Sequence, residues 1–120
     1  VALIDARKGI EMFNKVGIPV LGIVENMATH ICSNCGHEES IFGAHGAEAM
    51  AAEYKVSLLG SLPLDSRIRE DVDQGLPTVA SDPTGPLTAA YTSLAHNVAA
   101  ELWQLNQITP VSTEIVMLEE

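Results

Sequence analysis

Basic residues are scarce in this chain. Six Lys and Arg stand against sixteen Asp and Glu, for a formal net charge of −10. A surface of that sign repels phosphate backbones, which excludes nucleic acid as an expected partner. Cysteine is scarcer still, and Cys32 and Cys35 are the only two. One close pair makes no disulfide framework. There is also no Asn-x-Ser/Thr glycosylation acceptor. Both facts fit a reducing cytoplasm. Apolar runs are only a handful of residues long, so no membrane-spanning helix is expected. No basic stretch leading into an apolar one opens the chain, as a secretory signal would. Finally, Lys8, Lys15 and Lys55 follow Arg, Asn and Tyr, so no Gly-Lys dipeptide exists. The Gly-rich loop and lysine that cradle a triphosphate are therefore missing. ATP hydrolysis is not expected of this chain alone.

What remains is ordinary globular composition: 120 residues, 47% of them apolar, enough for one compact domain. Leu3, Ala6, Ile10 and Phe13 share one helical face, and Gly17 and Pro19 stop that helix. It starts at once, without a clear cap, as it would in a piece of a longer protein. Ile18–Val24 is nearly all apolar and rich in branched residues, which predicts a strand covered on both faces. Residues 26–43 read as a long polar loop. Ala47, Met50, Ala51 and Tyr54 mark a second helix. Val56–Leu62 reads as a second buried strand, ended by Pro63. Asp65 caps a short helix carrying Ile68 and Val72, and residues 78–81 read as a short extended piece. Leu87, Tyr91, Leu94, Val98, Leu102 and Leu105 form the stripe of a last helix of about five turns. Residues 1–106 are read as one unit and 107–120 as a tail, either a strand or a frayed end. Helices alternating with buried strands predict an α/β fold with a parallel sheet. Two strong strands are few for such a sheet, so this chain is expected to supply one side of a larger one.

The chemistry is concentrated in His30-Ile31-Cys32-Ser33-Asn34-Cys35-Gly36-His37. Two thiolates separated by two residues can reach one metal centre, and the following glycine relieves crowding at the turn. A thioredoxin-type dithiol would open a helix directly after a strand, whereas seven residues separate Val24 from Cys32. One pair is half a site, because a [4Fe–4S] cluster or an all-cysteine zinc takes four thiolates. Two solutions stand open. A two-fold dimer can pair Cys32 and Cys35 with their own copies. Alternatively, His30 and His37 complete a zinc site within one chain, giving a structural interaction module. Thiol–disulfide exchange is a third, less favoured reading.

Five blocks carry a family resemblance. They are Ala6-Arg7-Lys8-Gly9, Gly22-Ile23-Val24-Glu25-Asn26-Met27, Cys32-Ser33-Asn34-Cys35-Gly36-His37, Ile41-Phe42-Gly43 and Leu59-Gly60-Ser61-Leu62-Pro63-Leu64-Asp65. Their order and spacing, from about Val1 to about Trp103, resemble the Mrp/ApbC iron–sulfur proteins, which are MinD-like P-loop ATPases. The resemblance implies the C-terminal half of a three-layer, parallel-sheet MinD-like fold, without its phosphate loop. It also implies that Cys32 and Cys35 bind a [4Fe–4S] cluster bridging a homodimer, for delivery to apo iron–sulfur proteins. By the same resemblance Asn26, Pro63, Leu64 and Asp65 belong to an adenine pocket. ATP and magnesium would then be bound only by the full-length protein.

Overall fold

The computed structural model describes residues 1–108. The expected tail from 109 onward lies outside the described residues. The elements in chain order are α1 (Ala2–Lys15), β1 (Gly22–Glu25), β2 (His30–Ile31), β3 (Glu38–Glu39), α2 (Gly46–Tyr54), β4 (Ser57–Ser61), α3 (Ser66–Asp73), α4 (Thr78–Ser81) and α5 (Pro86–Ile108). The parallel pairing that the apolar runs call for is present: β1 lies beside β4, with Gly22 opposite Ser57 and Glu25 opposite Ser61. A register shift falls between Ile23 and Val24. Helix α2 makes the crossover between the two strands and packs on both. Its Ala47, Met50 and Ala51 are buried, and with Leu59, Leu62, Ile10 and Leu87 they make the core.

Helix α5 covers β4. Asn97 donates its side-chain N–H to the Leu59 carbonyl at 2.8 Å. Ser57 Oγ donates to Glu101. Gly60 lets α5 approach closely: a Cβ there would meet the Leu94 side chain at 3.3 Å. On the other side Arg7 of α1 pairs with Glu53 of α2, and Tyr54 Oη donates to Glu11 at 3.2 Å.

Four local readings change. The first strand is shorter than Ile18–Val24, because pairing begins only at Gly22; Pro19 has no N–H to offer a ladder. Residues 78–81 form a helical turn rather than an extended piece, with the Ala80 and Ser81 N–H groups both donating to the Pro77 carbonyl. The loop 26–43 contains an antiparallel pair, His30 opposite Glu39 and Ile31 opposite Glu38. In the α1 stripe only Ile10 is buried; Leu3 and Phe13 stay exposed. The reason is architectural. Among the described residues the parallel sheet has two strands, too narrow a surface to cover the whole face of a helix.

Candidate metal centre and nucleotide cleft

The hairpin β2–β3 exists to hold a turn. The Gly36 N–H donates to the Cys32 carbonyl at 2.8 Å, and the Cys32 N–H donates to the His37 carbonyl at 2.9 Å. Closing it requires Gly36 at φ +70°, in the left-handed region. Nothing lies within 4 Å of where its Cβ would stand, so the glycine is needed for backbone angle and not for space. Both cysteines are free, Cys32 half-buried and Cys35 exposed. The backbone N–H of Cys35, then that of Asn34, then the Cys35 thiol hold the Cys32 thiol below its ordinary value. Donors aimed at sulfur favour the thiolate, which is the form that ligates metal. This donor set fits a soft, thiophilic centre.

The two histidines do not complete it. Among the described residues, no three His, Cys, Asp or Glu side chains gather as a metal site. His30 turns toward the body of the protein. It forms a parallel bridge with Leu64, and its buried Nδ1 has no hydrogen-bond partner, the nearest carboxylate oxygen being on Glu39 at 3.7 Å. His37 contributes its carbonyl to the turn and exposes its ring.

The second predicted cluster does come together. Asn26, Pro63, Leu64 and Asp65 line one open cleft of about 290 Å³, with Met27, Ile68 and Tyr91. It lies past the carboxyl ends of β1 and β4, where ligands gather in open parallel sheets. Asp65, however, is turned to a structural task. Its buried carboxylate accepts from the Arg67 N–H at 2.9 Å, Arg67 Nε at 3.0 Å and Arg67 Nη2 at 2.6 Å. It is the cap of α3, and hydrogen bonding from Arg67 holds its acid below the usual carboxylate range. Nothing in the sequence alone marks Met27 and Tyr91 as site residues. Met27 sits at φ +56°, with its N–H donating to Asn26 Oδ1 at 3.0 Å. That strained angle leaves no signature in the sequence. Tyr91 is hidden within the apolar stripe of α5.

The cleft and the thiol turn share a backbone. Beyond the sheet, Leu62 N–H donates to Glu25 O, Ala28 N–H to Leu62 O, Leu64 N–H to Thr29 O, and Ile31 N–H to Leu64 O. This ladder leads straight from the cleft floor into β2.

A protein-family model described as ParA, the NUBPL iron-transfer P-loop NTPase, matches residues 1–99. The chain belongs to this family. Among its curated relatives, the iron–sulfur cluster carrier protein of Escherichia coli K12 is 57% identical over 110 residues, covering 92% of this chain and 30% of the relative. The carrier protein of Haemophilus influenzae is 52% identical over 119 residues, covering 99% and 32%. The mouse iron–sulfur cluster transfer protein NUBPL is 45% identical over 102 residues, covering 85% and 32%. The chain thus spans about a third of the length of these relatives. Among solved structures, the cell division ATPase MinD of Pyrococcus furiosus superposes with a TM-score of 0.62 at 28% identity, covering 82% of this chain and 37% of that one. A nucleotide-binding protein of Archaeoglobus fulgidus in complex with ADP gives 0.51 at 38% identity, covering 58% and 29%. The fold is therefore the α/β, parallel-sheet type of MinD-like P-loop NTPases. No helix among the described residues is long and apolar enough to cross a membrane.

Proposed function

We propose that this chain, with residues 1–106 acting as one unit, is the cluster-holding part of a cytoplasmic iron–sulfur carrier. Cys32 and Cys35 supply two thiolates to a [4Fe–4S] cluster, a second copy supplies the other two, and the cluster passes to apo iron–sulfur proteins. The cluster is cargo, so its ligands must hold it at an accessible edge and not bury it. One observation carries the reading. The Gly36 turn holds two free thiols side by side, Cys32 half-buried with thiolate-favouring donors aimed at it and Cys35 exposed, and no third donor joins them among the described residues. The names of the relatives support the same role.

Asn26, Pro63 and Leu64 form the adenine side of a nucleotide cleft, and Asp65 fixes that wall by capping α3. In the full-length protein, bound ATP with magnesium would supply the driving reaction for cluster handling. This chain offers no phosphate loop to hold the triphosphate, so its part is limited to the base. The test is anaerobic reconstitution of the chain with iron and sulfide. About four irons per dimer and a broad absorbance near about 400 nm are expected for Cys-ligated clusters. Colourless protein retaining one zinc per chain would overturn the reading in favour of a structural zinc module.

A further inference from the structure

Strand β3 consists of two glutamates, Glu38 and Glu39. Glutamate is depleted in strands, and a residue that works against its own element is a pointer to function. Both side chains are exposed. Neither pairs with Lys or Arg among the described residues: Glu38 accepts from Thr29 Oγ1 at 2.8 Å, and a Glu39 oxygen lies 3.7 Å from His30 Nδ1. No Lys or Arg occurs anywhere from Val16 to Tyr54, although that stretch holds five glutamates and both cysteines. The three arginines are tied elsewhere, to Glu53, to Asp65, and to Glu70 with Asp73. The two carboxylates of β3 are not equivalent. Side chains alternate between the faces of a strand. Glu39 stands opposite His30, and Glu38 opposite Ile31. The alternation that sets His30 on the face of Glu39 sets Cys32 there too. The charge reaches the sulfur. The Cys35 and Asn34 N–H groups and the Cys35 thiol hold the Cys32 thiol low, while partial burial and then the Glu39 carboxylate push it up.

We propose that Glu39 sets how long the cargo stays: its fixed negative charge, on the sulfur-bearing face of the hairpin, destabilises an anionic centre on Cys32 and Cys35 and so promotes release. The proposal rests on the shared-cluster reading and adds what governs the lifetime of the cluster. A cube held by four thiolates is a net anion. The backbone N–H groups of the turn favour that charge, Glu39 opposes it, and no cation of the hairpin offsets either. The balance suits a carrier, whose ligands must be thiolate enough to take the cluster and must still let it go. Two unit charges about 8 Å apart in water repel enough to change an equilibrium about twofold. In a two-fold pair the carboxylate acts twice on the shared centre, for about fourfold in all. Repulsion of this kind is screened by salt, over about 10 Å at 0.1 M. A side chain acting through packing has no such dependence.

Two anaerobic measurements on the full chain test this, and the first needs no iron. The unloaded chain is alkylated with iodoacetate, an anion, and with iodoacetamide, its neutral counterpart. Both reagents attack the same thiolate, so their rate ratio reports the field at the sulfurs and not the amount of thiolate. Glu39→Gln should raise the iodoacetate-to-iodoacetamide ratio about twofold at low salt, and the gain should vanish near about 1 M sodium chloride. Glu39→Asp keeps the charge and should match wild type. Glu38→Gln, one residue away on the opposite face, should change the ratio much less. The second measurement follows loss of the cluster absorbance after reconstitution with iron and sulfide, in excess neutral bipyridine so that release sets the rate. Glu39→Gln should keep its cluster about fourfold longer at low salt. Far-UV circular dichroism confirms that each variant folds. An unchanged ratio or an unchanged lifetime in Glu39→Gln would overturn the proposal, as would a shorter lifetime or an equal effect from Glu38→Gln. A raised ratio in a chain that never takes up iron would support the field at the thiols while sinking the cluster reading, so the two failures are separable.

Discussion

Substituting alanine at Gly36 isolates the contribution of the thiol turn. The residue is held at φ +70°, and no atom stands within 4 Å of the added Cβ. The substitution therefore clashes with nothing and acts only through the backbone. Holding an L-residue in the left-handed region costs about 1–2 kcal/mol. The turn it strains is fastened by two backbone hydrogen bonds, Gly36 N–H to Cys32 O and Cys32 N–H to His37 O, on a hairpin whose strands are two residues each. So small a unit opens locally before the core does. The expected result is a thermal midpoint close to wild type, together with a loosened ligand set. Opening the turn moves the Cys35 and Asn34 N–H groups away from Cys32 sulfur, and the Cys32 thiol climbs back toward its ordinary value. Titrating thiolate absorbance against pH reads this directly. If each turn must be re-formed for ligation, each copy weakens cluster binding by about 5- to 30-fold. A dimeric site loses the product of two such factors. Gly36→Asn should be milder, because asparagine tolerates the left-handed region. An alanine variant with wild-type thiol titration and wild-type iron retention would refute the view that the turn sets the sulfurs.

Other outcomes follow from the same structure. Asp65→Ala should cost about 1–2 kcal/mol in urea unfolding through loss of the α3 cap, while Asp65→Asn keeps most of the cap and costs less. Because Arg67 holds the Asp65 acid below its ordinary range, its stabilisation is complete above about pH 4, the unfolded value. It disappears as pH falls through the lower folded value, so Asp65→Asn should flatten the acid limb of a stability–pH profile. Gly22→Ala should be severe, since its Cβ would stand 2.5 Å from the Ser57 carbonyl and 2.6 Å from Leu59 Cγ across the parallel pair. A loss of about 3 kcal/mol in urea unfolding is expected. Cys32→Ser should abolish iron uptake and leave unfolding within about 0.5 kcal/mol of wild type, because its side chain lies outside the core.

The parts of the fold legible from sequence are those with a strong local period or a strong punctuator. The α2 face of Ala47, Met50 and Ala51 is buried as its spacing implies. Asp65 caps where an Asp before a helical stripe should. Val56–Leu62 contains β4, since a branched apolar run between Lys55 and Pro63 has one comfortable use. The misread segments are those decided by distant partners. Ile18–Leu21 looks like strand but has no ladder to join, because β4 begins opposite Gly22. Thr78-Val79-Ala80-Ser81 looks extended by composition, yet Pro77 and the hydrogen bonds it accepts wind it into a turn. The exposed Leu3 and Phe13 obey a helical period whose burial depends on a wider surface than two strands provide.

The site divides the same way. The sulfur spacing and the glycine after it were visible residue by residue. The left-handed angle of Met27 and the bridge from His30 to Leu64 were not, since the first is a single backbone torsion and the second pairs segments more than thirty residues apart.

Native mass spectrometry of the anaerobically reconstituted chain weighs polypeptide and inorganic content in one reading, and so tests most directly whether the centre is shared. The account requires two chains carrying a single four-iron, four-sulfide unit, with the load lost when Cys32 or Cys35 is replaced by serine. A single chain carrying the complete unit, or a pair retaining it without those sulfurs, would contradict it.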